Sequence, residues 1–588
     1  MTLSLQSKYR THTCGELSAK NVGESVVLSG WVHRKRDHGG LLFIDLRDNY
    51  GITQCVLDNM AGASDIRPES VITIRGNVAK RDDTAINKKI PTGEIEIQTG
   101  SYEILTSSDV LPFQVFGDDG SVAEDLRLKY RYIDLRRESL HHNILFRNSV
   151  LKFARDKMWD FGFSEFQTPV LTASSPEGAR DFIVPSRHHH GQFYALPQAP
   201  QVFKQLTQVA GFDRYFQIAP CFRDEDLRSD RLLEFYQLDL EMSFVDLSDI
   251  QEIGNKLLPA IIKKFAPNKK LVDEIPHITF DESMLKYGND KPDLRNPIEI
   301  FDVSEIFADS EFLVFSNAVK NGSVVRAIPA PNTADKPRSF FDKLGEFATS
   351  ELGLAGLAYI SMGADGAKGP VAKKLNESQI AKLNLGQGDT LFFVCDVPNV
   401  AAKAAGKLRD KLGADLELID ENEMRLCWVE SFPFFEETDE SPTGIGMTHN
   451  PFSYPLATLS ELDTKNPLDI KAAQFDMVLN GAEICSGGLR NYQPDVMLKV
   501  FSIAGYPEEE VKKNFAGLYT AFQYGVPPHG GCAFGIDRII QIMCDANNLR
   551  EVVMFPTNQR GQDLMLGAPR EVTEQQLRDV HIQVRKKG

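Results

Sequence analysis

The stretch 219–244 constrains the fold more than any other part of the chain, because it holds a charged loop between two strand-like runs. Residues 215–218 form the first run, and residues 235–244 alternate with the period of two that is typical of a strand. One face carries Phe235, Gln237, Asp239 and Glu241, and the other carries Tyr236, Leu238, Leu240 and Met242. Such a strand faces a core on one side and a polar site on the other. An ordinary surface hairpin with salt bridges is the alternative, but it leaves the polar residues in register with an aromatic one unexplained.

The bulk composition predicts a multidomain globular protein. The 588 residues suggest about four domains of roughly 150 residues each. The apolar fraction of 42% and the charged fraction of 25% are those of soluble domains. We expect no membrane span and no signal peptide, because no apolar run is long enough for either. The formal charge of −17 argues against non-specific coating of nucleic acid.

The cysteines indicate the compartment. Eight of them are scattered singly between Cys14 and Cys544, without a CxxC pair. This spacing favours neither a zinc site nor a disulfide framework. We therefore expect a cytoplasmic protein in a reducing environment.

Residues 24–105 read as five short strands separated by turn residues. Apolar and polar side chains alternate clearly in residues 42–47. Five strands in about eighty residues predict a small closed barrel of the OB-fold type. Phe43 and the basic cluster 33–36 could form a stacking face for single-stranded nucleic acid. An exposed aromatic beside solvated charges is the alternative.

The middle of the chain predicts a hinge, a helix, a strand and an insertion. Residues 106–139 combine turn residues with a basic cluster, RLKYRYIDLRR, and basic side chains on a linker are usually solvated. Helical spacing of apolar residues predicts a helix over 140–161, followed by a strand that ends at Pro169. Residues 296–422 contain helix-like and strand-like segments but no catalytic combination, so we predict an inserted α+β domain.

Further polar residues are candidates for a site. Gln201 and Lys204 lie three apart at the start of a predicted helix, so they share a face. Arg223 ends the first strand-like run, where its guanidinium could form paired hydrogen bonds to a phosphate. Asp476 and Glu483 flank an Asn-Gly turn signal, and a hairpin would bring these carboxylates together to hold Mg²⁺.

Three segments carry a resemblance to a known family. FRDE at 222–225 with its return strand resembles the second signature of class II aminoacyl-tRNA synthetases, and GGCAFGIDR at 530–538 resembles the third. With YGVPP and HGG before the latter, the chain is similar to aspartyl-tRNA synthetases of the bacterial type over nearly its full length. The resemblance implies an α+β protein: an OB-fold barrel, a class II catalytic domain with an antiparallel sheet, and an inserted α+β domain.

The expected domains follow from this resemblance. They are an anticodon-binding barrel at 1–108, a hinge at 109–140, a catalytic domain at 141–295 and 423–562, the insertion at 296–422, and an extension at 563–588. The helix and strand after the hinge resemble the first signature, which forms a homodimer interface in the family.

The resemblance also assigns roles to individual residues. Arg223 and Arg538 are implied as catalytic. The implied aspartate-binding residues are Glu177, Gln201, Lys204, Arg223, Asp239, His449 and Arg490. The implied ATP-binding residues are Arg223, Asp224, Glu225, Phe235, Glu483, Gly535, Ile536, Asp537 and Arg538, with Phe235 and Arg538 on either side of adenine. Magnesium is implied at Asp476 and Glu483, and tRNA anticodon contacts at Arg36, Phe43 and Gln54.

The implied activity is ATP-dependent ligation of L-aspartate to tRNA(Asp) through an aspartyl-adenylate. A histidine matching His38 accompanies charging of tRNA(Asn) as well, whereas Thr84 replaces a glycine that often goes with it. Two alternatives stand beside this activity. A lysyl- or asparaginyl-type relative is the first, and Arg490 with Lys204 and the insertion argue against it. A non-catalytic tRNA-binding paralogue is the second, and the presence of Arg223, Arg538 and Glu483 argues against it. The chain departs from the family at Ala199, Leu232–Leu233 and Asn450, where polar residues are common.

Overall fold

The computed structural model describes residues 5–39, 41–58, 60–117, 122–174, 179–439, 441–448 and 451–585. They form two compact units: Met1–His142 with Asp563–Ala568, and Asn143–Gln562 with Pro569–Gly588. The predicted hinge thus falls in the first unit. The predicted extension is divided between the two units, since Asp563–Ala568 belongs to the first and Pro569–Gly588 to the second. Asp563–Ala568 forms a turn in which Asp563 N donates to Ala568 O at 2.7 Å.

The first unit contains the predicted barrel. Five strands close in the order β1-β2-β3-β5-β4, and all pairs are antiparallel except β3 with β5. The strands are β1 Ser25–His38, β2 Leu41–Arg47, β3 Ile52–Asp58, β4 Val71–Lys80 and β5 Ile95–Thr106. Leu42, Ile44 and Leu46 point into the apolar interior, as the alternation predicts. Gly30 is required on β1, because a Cβ there would lie 2.3 Å from Arg47 O.

The predicted hinge is a buried ion cluster, and the expectation of solvated arginines is wrong. It contains α1 Glu124–Lys129 and α2 Arg131–Asp134. Asp134 is fully buried and accepts hydrogen bonds from Arg127 Nε at 3.0 Å and from Arg131 Nη1 at 2.9 Å. Arg137 Nε lies 3.3 Å from the same carboxylate. One anion therefore holds three cations, which linker composition could not reveal.

The second unit is built on an eight-stranded sheet in the order β12-β19-β22-β23-β24-β10-β9-β6. Only the outermost pairs, β12 with β19 and β6 with β9, are parallel. The strands after the barrel are β6 Ser164–Glu165, β7 Ile183–Pro185, β8 Phe193–Ala195, β9 Arg214–Phe222, β10 Glu234–Ser243, β11 Lys270–Leu271, β12 His277–Thr279, β13 Phe301–Asp302, β14 Val324–Ala330, β15 Ala358–Gly363, β16 Gly366–Lys368, β17 Thr390–Asp396, β18 Glu423–Met424, β19 Leu426–Glu430, β20 Phe435–Glu437, β21 Ile445–Met447, β22 Gln474–Leu479, β23 Ala482–Leu489 and β24 His529–Gly535.

Three of the remaining helices pack on the apolar face of the large sheet. The remaining helices are α3 Glu138–Asp160, α4 Gln201–Val209, α5 Leu247–Phe265, α6 Phe280–Lys286, α7 Ser304–Ala308, α8 Leu313–Lys320, α9 Arg338–Ser350, α10 Glu377–Lys382, α11 Pro398–Asp415, α12 Leu459–Thr464, α13 Pro494–Ile503, α14 Glu508–Asn514, α15 Ala516–Ala521, α16 Ile536–Met543 and α17 Glu574–Asp579. Leu238, Leu240 and Met242 of β10 join residues of α3, α5 and α16 in one core. The apolar face predicted for residues 235–244 is confirmed. The strand predicted to end at Pro169 shrinks to β6, because only Ser164 and Glu165 pair with β9.

The insertion has a sheet of its own, in the order β13-β14-β17-β15-β16. Leu344 of α9 and Leu408 of α11 pack on one side of it, and Phe307 of α7 packs on the other. The segment is therefore α+β, as its sequence predicts. Among the residues that the structure describes, no helix is long and apolar enough to span a membrane.

Replacement of Asp134 tests the hinge cluster. Asp134→Asn would leave three arginines without their shared anion, and loss of one partner of a buried ion pair destabilises by roughly 3–5 kcal/mol. We expect faster hydrogen–deuterium exchange in peptides covering 124–139. Asp125→Asn, on an exposed position of α1, should leave exchange nearly unchanged. Equal exchange in both variants would contradict the role of Asp134.

Candidate active site

A polar cavity of about 580 Å³ opens on the face of the large sheet opposite the helical core. Twelve of the residues assigned from sequence line it: Gln201, Lys204, Arg223, Glu225, Phe235, Asp239, Asp476, Glu483, Arg490, Gly535, Asp537 and Arg538. They come from α4, β9 and its loop, β10, β22, β23, β24 and α16. The antiparallel register thus gathers residues that are more than 300 positions apart in the chain.

The cavity does not account for every residue assigned to the active site. Glu177 and His449, with the departure Asn450, are outside the described residues. Asp224 is exposed and is not among the residues that line the cavity. Ile536 packs into the core below the sheet. Asp537 lines the cavity but is paired with Arg147, and its Oδ2 accepts a hydrogen bond from Tyr236 N. The departures Ala199 and Leu232 also line the cavity.

Four buried charged side chains form a cluster, which we call the charge network: Lys204, Asp239, Glu241 and Arg490. All of them except Glu241 line the cavity. Lys204 Nζ donates to Asp239 Oδ1 at 3.0 Å and lies 3.5 Å from Glu241 Oε2. Arg490 Nε donates to Glu241 Oε1 at 2.9 Å, and its Nη2 donates to Gly531 O at 3.0 Å. Glu241 therefore joins the two cations. Such groups are rarely buried unless they are paired.

The pKa values of this network follow from burial and pairing. Burial by itself would lower the pKa of Lys204, but the charges of Asp239 and Glu241 raise it above its ordinary value. Burial would raise the pKa of Glu241, yet Arg490 and Lys204 hold it below its ordinary value. Burial raises the pKa of Asp239, and Lys204 offsets this only in part. Lys204 and Glu241 are accordingly charged at neutral pH.

Asp239 has bonding capacity left for a ligand. Its Oδ2 is buried and has no hydrogen-bond partner within the described structure. An unpaired buried carboxylate oxygen is costly, and an ammonium group in the cavity would satisfy it. Lys204 and Arg490 stand on the same wall, where they could receive a carboxylate. The network suits a small molecule that carries both signs of charge.

Three residues in and beside the network were not assigned a role from sequence. Glu241 belongs to the network, and Gln205 and His529 lie next to it. Gln201 Nε2 donates to Gln205 Oε1 at 3.1 Å, and Gln205 Nε2 lies 3.1 Å from His529 Nε2. His529 Nδ1 lies 2.9 Å from Pro527 O, so the proton belongs on Nδ1. Burial lowers the pKa of His529, which keeps it neutral. The polar alternation that singled out Asp239 also contained Glu241, two residues later.

Planar and cationic side chains line another part of the cavity. The Arg223 guanidinium lies over the Phe235 ring at 5.0 Å from its centroid. Arg538 Nη1 donates to Glu483 O at 2.6 Å, which fixes its guanidinium beside β23. An aromatic ring with two guanidinium groups suits a heterocycle that carries phosphates.

The two candidate metal ligands lie on one hairpin. β22 and β23 are antiparallel and joined by Asn480 and Gly481, both with positive φ, as in the predicted turn. Asp476 Oδ1 is buried without a hydrogen-bond partner in the described structure. Burial and the charge of Glu483 raise the pKa of Asp476 well above its ordinary value. The unpaired oxygen of Asp476 and the nearby carboxylate of Glu483 fit a divalent cation. Among the residues that the structure describes, no three His, Cys, Asp or Glu side chains are grouped so that they could hold a metal ion by themselves.

The assigned barrel residues lie on three neighbouring strands. Arg36 and Phe43 are register partners on β1 and β2. Arg36 Nη2 donates to Gln54 Oε1 on β3 at 3.2 Å. The His38 ring packs edge-on against Phe43, with centroids 5.7 Å apart. Thr84 is exposed in a 3₁₀ turn, Asp83–Ala85. An aromatic ring framed by polar side chains suits an unpaired base.

Family models match both units. Residues 123–559 match tRNA synthetases class II (D, K and N), and residues 26–105 match the OB-fold nucleic acid binding domain.

Curated relatives match along the full chain. A protein from Acidiphilium cryptum (strain JF-5) is 53% identical over 587 residues, covering 98% of each chain. One from Pelagibacter ubique (strain HTCC1062) is 51% identical over 595 residues, covering 99% of this chain and 100% of the relative. Both are named aspartate–tRNA(Asp/Asn) ligase.

The fold is also found in solved structures. The asparaginyl-tRNA synthetase from Pyrococcus horikoshii, complexed with asparaginyl-adenylate, superimposes with a TM-score of 0.57 at 17% identity, covering 93% of this chain and 97% of the other. The Entamoeba histolytica asparaginyl-tRNA synthetase gives 0.58 at 15% identity, covering 92% and 98%.

Glu241→Gln tests the charge network. It leaves Lys204 and Arg490 with one anion between them, so we expect the free energy of unfolding of the second unit to fall by roughly 3–5 kcal/mol. Urea unfolding followed by the fluorescence of Trp428, which lies in the same core as Leu240, measures it after Trp31 and Trp159 are replaced by Phe.

The control is Glu225→Gln, which breaks the exposed ion pair with Arg231. Exposed pairs contribute about 0–1 kcal/mol, so this change should be small. A similar loss in both variants would contradict the network.

Proposed function

This chain belongs to the tRNA synthetases of class II (D, K and N), and we propose that it joins L-aspartate to the 3′ end of tRNA(Asp) and of tRNA(Asn) with ATP as co-substrate. The chain is an aminoacyl-tRNA ligase. The names of the relatives, at 51–53% identity over essentially the whole chain, support aspartate as the amino acid.

The observation that carries the proposal is the unpaired Asp239 Oδ2 beside two buried cations. We assign the substrate ammonium to Asp239, together with Gln201 and Glu177. Arg490 and Lys204 receive the side-chain carboxylate, and His449 is assigned near the substrate. Asparagine is nearly isosteric but neutral, so it would leave these cations poorly paired. A site built for a polar group can reject an analogue that lacks it by about 10⁴-fold.

The reaction needs positioning more than acid–base chemistry. A carboxylate is ionised at neutral pH, so its oxygen can attack the α-phosphorus of ATP without a general base, and pyrophosphate leaves. Arg223 would hold the α-phosphate and the attacking carboxylate in line. Phe235 and Arg538 would sandwich adenine, with Glu225 at its edge. The ribose hydroxyl of the tRNA then attacks the carbonyl carbon of the adenylate, giving the ester and AMP.

Magnesium is part of the proposal. Asp476 and Glu483 would hold it, and the bound ion would neutralise charge on the triphosphate oxygens. The unpaired Asp476 Oδ1 supports this assignment.

The barrel is proposed to read the anticodon, with Phe43 as the stacking platform and Arg36 and Gln54 as hydrogen-bonding groups. His38 touches Phe43, which supports an effect on the choice between the two tRNAs. The exposed Thr84 is the second position proposed to influence that choice.

A homodimer and a cytoplasmic location complete the proposal. Leu145 and Trp159 on α3 are exposed apolar side chains, at 41% and 55%, on the helix that resembles the family's dimer-forming segment. The eight cysteines are free, which suits a reducing compartment.

Aminoacylation with labelled aspartate, using purified tRNA(Asp) and tRNA(Asn) side by side, tests the function. We expect both tRNAs to be charged. Charging of tRNA(Asp) alone would remove the part of the proposal that rests on His38. Charging of neither would favour a non-catalytic paralogue.

Phe43→Ala tests the anticodon platform. Stacking of one base on an aromatic ring contributes about 1–3 kcal/mol, so we expect the KM for tRNA to rise roughly 5- to 150-fold. Amino-acid activation, measured by ATP–pyrophosphate exchange without tRNA, should stay unchanged. Tyr50→Ala is the matched control, because Tyr50 is an exposed aromatic in a turn of the same barrel. An equal effect of both variants would exclude a specific platform.

A further inference from the structure

A lysine from the loop that leads into the insertion reaches the active-site cavity. Lys291 follows α6 and precedes β13. Its Nζ lies 3.1 Å from Glu483 Oε2 and 3.0 Å from Asp290 Oδ2. The side chain is 37% exposed, so one side of the ammonium is open to the cavity. Sequence reasoning gave no role to this residue.

Lys291 stands where two cavities meet. The active-site cavity adjoins a second cleft of about 620 Å³. The residues common to both linings are Asp230, Arg231, Lys291, Glu483 and Arg538. Lys291 and Arg538 both contact Glu483, the former at its carboxylate and the latter at its carbonyl. The two cations therefore flank one candidate metal ligand.

The loop that carries Lys291 is held by a hydrogen bond of its own and by contacts with the insertion. Lys291 N donates to Asn289 Oδ1 at 2.7 Å. Arg409 of α11, which is fully buried, donates to Asp293 O at 2.9 Å and to Asn296 O at 2.7 Å. Gly288 packs so closely on α11 that a Cβ would lie 2.3 Å from Ala402 O. The ammonium is thus held by a rigid support.

We propose that Lys291 is a triphosphate-binding residue: it neutralises Glu483 while the cavity holds no nucleotide, and it binds the β- and γ-phosphates when ATP enters. The proposal rests on the function proposed above. Two carboxylates facing one cavity repel an incoming triphosphate unless cations offset them. When a divalent ion takes the carboxylates, Lys291 is left beside the phosphate oxygens, which are good acceptors for an ammonium.

Nucleotide binding to the full-length protein tests the proposal. In Lys291→Met, we expect the affinity for ATP in the presence of Mg²⁺ to fall about 10- to 100-fold, as for loss of a charged hydrogen bond. The affinity for adenosine, which has no phosphate, should change less than about twofold. Lys291→Arg should recover most of the affinity for ATP, because it keeps the charge.

The matched control is Lys269→Met. Lys269 lines the second cleft but pairs with Asp545 rather than with Glu483, so its loss should leave ATP affinity unchanged. In aspartate-dependent ATP–pyrophosphate exchange, Lys291→Met should raise the KM for ATP and leave the KM for aspartate within about twofold.

Three results would overturn the assignment: unchanged ATP affinity in Lys291→Met, an equal loss for ATP and adenosine, or an equal loss in Lys269→Met. Failure of the proposed function is a separate result. It would appear as absence of aspartate-dependent exchange in the unmodified protein, whereas the binding comparison would still decide the role of Lys291.

Discussion

The second unit depends on the buried pairing of Glu241 with both Lys204 and Arg490. Two cations at this depth would be very costly if they were alone, and Glu241 and Asp239 supply the opposing charge. Glu241 forms the bond to Arg490 and keeps the guanidinium oriented, so Asp239 needs only one of its oxygens for Lys204. The second oxygen stays available for a ligand. The same four side chains therefore provide both compensated buried charge and one unpaired carboxylate oxygen at the cavity.

The central place of β10 in the sheet explains how this network comes to line the same cavity as Arg223, Arg538 and Glu483. β10 pairs with β9 on one side and with β24 on the other, and β23 follows next. Arg223 directly follows β9, Arg538 lies in the first turn of α16, and Glu483 is the second residue of β23. Because antiparallel register fixes which residues are neighbours, one strand with two distinct faces orders the whole cavity.

Much of the fold and of the candidate site could be predicted from sequence, because alternation and turn signals depend only on neighbouring residues. Period-two alternation gave the faces of β10, and an Asn-Gly pair gave the β22–β23 hairpin. The misses depend on partners distant in sequence. In the sequence, Asp134 is a single acidic residue within a basic linker. Only the structure shows that three arginines surround its carboxylate. The role of Glu241 depends on its hydrogen bond with Arg490, which lies 249 residues later in the chain. The strand expected before Pro169 is short because pairing, and not propensity, decides where a strand ends.

The insertion lies outside the large sheet, yet its position bears on the chemistry. Its own sheet and helices form two apolar layers, and none of the residues assigned from sequence to the active site lies in it. The loop that leads into it nevertheless runs beside the hairpin that carries Asp476 and Glu483, because Lys291 of that loop contacts Glu483. Arg409 of α11 holds the same loop by hydrogen bonds to Asp293 O and Asn296 O. A flexible lysine gains precision only when its backbone is fixed, because its side chain has many rotamers. A rigid domain attached at this point thus provides what a surface loop could not, namely a cation held beside the carboxylate pair.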